Sequence, residues 1–120
     1  LRVNYPGLAS FPQRELATRL HGDHHGGVLS FEVAGGLEAA RATVKNLELC
    51  ILAENLGATE TLVTHSATMT HADVPATERE RVGISDGLIR VSLGLEDPAD
   101  VFADLQQALA RAEVREVARV

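Results

Sequence analysis

Alternation with a period of two marks "SDGLIRVSLGLED", residues 85 to 97, as a strand. Ile89, Val91 and Leu93 fall on one face; Leu88, Arg90 and Ser92 fall on the other. "VLSFEV" reads the same way, with Leu29, Phe31 and Val33 set against Ser30 and Glu32. "ETLVTH" is a third short β-rich run, and "RVNYPGL" is an extended piece ended by a Pro-Gly turn. Helical spacings separate these runs. Pro12 can open a short helix that uses Leu16 and Leu20 and stops at Gly22. Leu37, Ala40, Val44, Leu47 and Ile51 step by three and four, which predicts a long helix from Gly36 to about Asn55. Leu52 and Leu56 widen its apolar face, and Gly57 is placed to cap it. "PATERERVG" predicts a short polar helix, opened by Pro75 and closed by Gly83. In "DPADVFADLQQALARA", Asp97 is the expected N-cap, Pro98 the first helical residue and Asp100 the acid of the first turn. Val101, Leu105, Leu109 and Ala112 form the expected buried stripe, with Phe102 beside it. The tail "EVREVARV" either frays or continues this helix.

The elements alternate strand and helix. Three or four strands with helices on one face make a small two-layer α/β sandwich. The strand face that carries Arg90 must then meet helices, solvent or another domain. No internal repeat, linker or low-complexity segment interrupts the chain.

Length and composition narrow this picture. A chain of 120 residues is one ordinary domain, and 45% hydrophobic with 3% aromatic residues means an aliphatic core. A net charge of -6 argues against nucleic acid, whose binding needs clustered cations. No apolar run approaches the ~20 residues of a membrane span. Cys50 is the single cysteine, so no internal disulfide can form, and a lone thiol points to a reducing, cytoplasmic setting. Lys45 is the only lysine; the other ten cations are arginines. The chain begins at Leu1 rather than methionine and is expected to be a piece of something longer.

Most groups with chemical potential have ordinary explanations. His21, Asp23, His24 and His25 are metal-ligand types, but no second cluster completes a tetrahedral site, so no metal is expected. His65 and His71 lack a Ser or Cys partner at fixed spacing. Cys50, placed mid-helix, reads as a small buried hydrophobe. Lys45 lies on the polar stripe of its helix, a poor place for a Schiff-base lysine, which needs desolvation. "ERER" reads as a solvated charge run. Arg90 differs. An ion pair with one of the many acids is the ordinary expectation, but a charge between apolar neighbours mid-strand is costly unless paired. The guanidinium fork also suits a substrate carboxylate. Glu54 and Asn55, expected at the end of the long helix, form a weaker candidate pair.

Four ordered blocks carry a family likeness: "YPGLASFPQRELATR", "GGVLSFEVAGG", "LAENLGATETLVTHSATMTH" and "GISDGLIRVSLGLEDPADVFADLQQAL". Together, from about Val3 to Leu109, they resemble the C-terminal domain of the cystathionine γ-synthase and γ-lyase family. These are pyridoxal-phosphate (PLP) enzymes of the aspartate aminotransferase fold group (fold type I) that act on sulfur amino acids. The resemblance implies that residues 1–120 are the substrate-site domain of a larger protein. It implies that Arg90 grips the substrate α-carboxylate and that Glu54 lies near the distal end of the substrate. Asn55 stands where the family has a serine that helps hold substrate and reactive lysine. Thr70 is implied to line the same cleft. "HSA" at His65 to Ala67 replaces a common "HPA", which removes a proline.

The same resemblance implies what this chain does not hold. The Schiff-base lysine, the phosphate-binding residues and the ring-stacking tyrosine belong to the preceding large domain. The chain is therefore expected to carry no catalytic and no PLP-binding residue, and to be inactive alone. Its expected partners are that large domain, an amino-acid substrate and further copies in a parent tetramer. The implied activity is γ-lysis of cystathionine or a related sulfur amino acid to a 2-oxo acid, ammonia and a thiol. Cystathionine γ-synthase and methionine γ-lyase are the alternatives, and a non-catalytic ligand-binding α/β module is the alternative of another class.

Overall fold

The computed structural model describes residues 2–117. The chain order is β1 (Arg2–Asn4), α1 (Arg14–His21), β2 (Val28–Glu32), α2 (Gly36–Lys45), β3 (Ile51–Leu52), β4 (Leu62–His65), a 3-10 turn (Ser66–Thr68), α3 (Ala76–Arg81), β5 (Leu88–Ser92) and α4 (Pro98–Val117). The five strands form one sheet in the order β1-β2-β5-β4-β3, antiparallel except for the β3–β4 pair.

One face of the sheet is the core face. Phe31, Val63, Ile89 and Val91 pack there with Ala40 and Val44 of α2 and Val101 of α4. Ile89 and Val91 are completely buried. The α/β two-layer reading holds, and β5, the strand of "LIRVS", is central. It ends at Ser92; Leu93 lies beyond it and is exposed. The cap of α4 is as expected: the Asp97 carboxylate accepts the Ala99 N–H at 2.8 Å, with Pro98 the first helical residue. The helix continues to Val117, and residues 118–120 of the tail lie outside the described part.

The long helix is the main correction. It ends at Lys45 rather than near Asn55, although the apolar spacing runs on. The cause is Asp104 of α4. Its buried carboxylate accepts the N–H groups of Glu48, Leu49 and Cys50 at 2.8, 2.9 and 2.8 Å. Gln107 adds an N–H donated to Asn46 O at 2.6 Å. Bonds to a charged acceptor contribute about 1.5–3 kcal/mol each, against a few tenths per residue from helix propensity. The tertiary anchor wins. The chain then turns into β3, so Cys50 is not mid-helix, and Gly57 caps no helix. Only Leu47 of the extra apolar residues packs on the core; Ile51, Leu52 and Leu56 are exposed.

Two smaller expectations also change. Phe102 is 67% exposed rather than beside the buried stripe; among the described residues Val101, Ala108 and Ala112 are the buried apolar positions of α4. "ERER" is not wholly solvated. Arg79 is buried, donating to Ala67 O at 3.2 Å and to the Asp86 carboxylate at 2.9 Å.

Candidate functional site

Period-two alternation puts Arg90 on the face opposite the core, and cross-strand register supplies its neighbours. Ser30 of β2 and Thr64 of β4 stand directly opposite Arg90 on either side. Asn4 of β1 pairs with Ser30 and donates to its hydroxyl at 3.2 Å. A polar row, Asn4–Ser30–Arg90–Thr64, thus crosses four strands. It borders an open depression of about 240 Å³ lined by Asn4, Val28, Leu29, Ser30, Ser66, Leu88 and Arg90.

Arg90 has no acid partner among the ion pairs of the described residues. Its Nη2 donates to two neutral acceptors, the main-chain O of Asn55 and the hydroxyl of Thr64, both at 3.0 Å. Its Nε–H is buried without a partner. A guanidinium so placed has lost water at Nε and gained no anion in exchange, which leaves it able to accept a carboxylate.

The segment with Glu54 and Asn55 is the loop after β3, not a helix end. Three open-face side chains tie its main chain to the sheet. Thr64 donates to Ala53 O at 2.6 Å, Arg90 donates to Asn55 O, and Gly57 N–H donates to the Ser92 hydroxyl at 3.0 Å. Gly57 takes a φ of 75°, a conformation that favours glycine. Glu54 is exposed. The Asn55 side chain accepts the Leu56 N–H at 2.8 Å, a local turn bond.

The structure therefore brings the Asn55 main chain against Arg90, with Glu54 next to it in the loop; among the described residues no hydrogen bond or ion pair joins the Glu54 side chain to Arg90. Thr70 is not joined to them by any hydrogen bond among the described residues. It lies past the 3-10 turn, exposed, with Oγ1 2.8 Å from His71 Nδ1. His65 is a buried prop: Nε2 donates to Asp86 O at 2.8 Å, so Nδ1 accepts from the Thr68 hydroxyl at 2.7 Å.

Thr64, Ser92 and Asp104 are the residues that sequence reasoning missed. Alternation within "TLVTH" is the signal that could have put Thr64 opposite Val63, on the Arg90 face. Asp104 gave no local signal, since its main-chain partners are more than fifty positions away. Burial pushes its carboxyl up, but the N–H groups of Cys50 and Glu48, the Gln107 amide and the N–H of Leu49 outweigh this and bring it down to about 2. Burial and the Asp104 carboxylate push the Cys50 thiol up to about 12, so no thiolate nucleophile forms there near neutrality. In the histidine loop the His21 and His25 rings meet edge-on at 4.9 Å. Among the described residues no group of three or more His, Cys, Asp or Glu side chains could hold a metal ion.

The fold and site define a small two-layer α/β domain with an arginine on its open sheet face. The chain belongs to the Cys/Met metabolism PLP-dependent enzyme family, whose model matches residues 1–110. It is 49% identical over 110 residues to an L-methionine γ-lyase of Fusobacterium nucleatum subsp. polymorphum, covering 92% of this chain and 28% of that protein. A cystathionine γ-lyase of Dictyostelium discoideum is 49% identical over 109 residues, covering 90% and 28%. That of Mus musculus is 50% identical over 111 residues, covering 92% and 28%. The chain thus spans little more than a quarter of the length of these relatives.

The one lysine of the chain is not placed to hold pyridoxal phosphate beside Arg90. Lys45 is exposed in the last turn of α2, on the helical layer, while Arg90 opens on the other face of the sheet.

Proposed function

We propose that this chain is the C-terminal substrate-site domain of a PLP-dependent carbon–sulfur γ-lyase acting on cystathionine or a related sulfur amino acid. The products are a 2-oxo acid, ammonia and a thiol. Arg90 carries the reading. It is central in the sheet, free of acid partners among the described residues, and has a desolvated Nε–H beside an open depression. Its role is to bind and orient the substrate α-carboxylate, which fixes where the reacting carbon lies. Asn55 and Glu54, on the loop held by Arg90, border the same substrate, and Thr70 is a more distant wall of the cleft. The names of the relatives, L-methionine γ-lyase and cystathionine γ-lyase, support the reaction class. The electron-sink chemistry of pyridoxal phosphate is supplied from outside this chain, by the large domain of the same protein. The parent works in the cytoplasm as a tetramer.

Glu54 favours cystathionine over methionine. An exposed carboxylate suits a distal ammonium and gains nothing from a methyl group. Assaying the full-length parent with cystathionine, methionine and an activated homoserine tests the proposal. The highest kcat/KM should be for cystathionine cleavage. A preference for methionine would overturn the substrate assignment, and γ-replacement alone would make the parent a γ-synthase. Inactivity on all three would favour a non-catalytic module.

A further inference from the structure

Thr64 is fully buried, yet its hydroxyl bonds on both sides. It lies 2.6 Å from Ala53 O and 3.0 Å from Arg90 Nη2. The roles follow from chemistry. A carbonyl has no proton to give and a guanidinium has no lone pair, so the hydroxyl donates to Ala53 and accepts from Arg90. The second proton of Nη2 goes to Asn55 O. One nitrogen of the fork is thus held from the sheet and from the loop at once. Nη1 has no hydrogen-bond partner among the described residues and remains for a ligand, while the Nε–H is buried and unpartnered.

We propose that Thr64 is a positioning residue for Arg90: its hydroxyl fixes both the guanidinium orientation and the loop carbonyls beside it, so that Arg90 meets a substrate carboxylate already aligned. The inference rests on the reading of Arg90 as the carboxylate-binding residue. An arginine left unfixed must be ordered when substrate binds, and that entropic cost appears in substrate affinity rather than in the chemical step. Valine matches threonine in shape but supplies neither the lone pair nor the proton.

The test uses the full-length enzyme with Thr64→Val, Thr64→Ser, Arg90→Ala and the Thr64→Val/Arg90→Ala double variant. Thr64→Val should raise KM about tenfold with kcat nearly unchanged. The inhibition constant of propionate, a carboxylate without an amine, should rise in parallel. Thr64→Ser should recover most of both losses. In the Arg90→Ala background Thr64→Val should cost much less, because no guanidinium is left to position and only the bond to Ala53 O is lost. If the valine variant does not fold, Thr64→Ala carries the same comparison. A wild-type KM in Thr64→Val, or an equal effect with and without Arg90, would overturn the inference while leaving the role of Arg90 intact. An unchanged kcat/KM in the Arg90→Ala single variant would overturn both.

Discussion

Arg90 and Thr64 stand opposite each other on β5 and β4, and each holds a different carbonyl of the loop that carries Glu54 and Asn55. The loop's shape and the arginine's orientation are therefore one structural problem. A change at either side chain disturbs the loop, and a change in the loop disturbs the arginine.

The proposed selectivity rests on Glu54. Its carboxylate is exposed on a loop whose main chain is tied to the sheet at Ala53, Asn55 and Gly57. Glu54→Val in the full-length enzyme should cut cystathionine cleavage and spare or improve methionine cleavage. The ratio of specificity constants should move about tenfold to a hundredfold. An unchanged ratio would mean that selectivity is set elsewhere in the parent.

Much of this was legible in the sequence because it depends on local periodicity. β5 and β2 alternate cleanly, and Asp97-Pro98 marks the start of α4 through a bond two residues away. The end of α2 was not legible. Leu47 and Ile51 continue the helical spacing, and nothing nearby announces that Asp104 will take three successive N–H groups from across the fold. That one tertiary contact moved Cys50, Glu54 and Asn55 out of a helix. Arg90 stood out because a charge amid apolar strand residues is rare; Thr64 did not, because a threonine in a strand is ordinary.

Asp104 should contribute strongly to the stability of the domain. Asp104→Ala leaves three main-chain donors without their acceptor and should cost about 3 kcal/mol or more. Chemical denaturation at neutral pH measures it. The acid limb is also defined. The carboxyl is brought from its ordinary 3.8 down to about 2 in the folded chain, so the unfolded chain binds its proton first as pH falls. The contribution is complete above about pH 4 and is lost as pH drops toward 2. Asp104→Asn should flatten the stability profile in that window; an unaltered profile would assign the acid sensitivity to other groups.

The chain alone should form no specific covalent adduct with pyridoxal phosphate. Lys45 is exposed on the helical layer, away from the face that carries Arg90. Borohydride reduction of a mixture, followed by peptide mapping, should find only sparse, unsaturable modification. A stoichiometric pyridoxyl group on Lys45 would contradict the division of labour between this domain and the rest of the parent.

The carboxylate-binding role of Arg90 is tested most directly by the specificity constant of the full-length Arg90→Ala enzyme, with cofactor content read from its absorbance. Cutting one side of a desolvated charge pair costs about 2–5 kcal/mol, which lowers kcat/KM roughly 30-fold to several thousand-fold. Arg90→Lys should recover only part, because an ammonium cannot hold Asn55 O and Thr64 with one nitrogen and present a second, fixed nitrogen to the carboxylate. The account predicts that large fall with pyridoxal phosphate still bound. A wild-type kcat/KM in Arg90→Ala would contradict it and reduce Arg90 to a tie for the Asn55 loop.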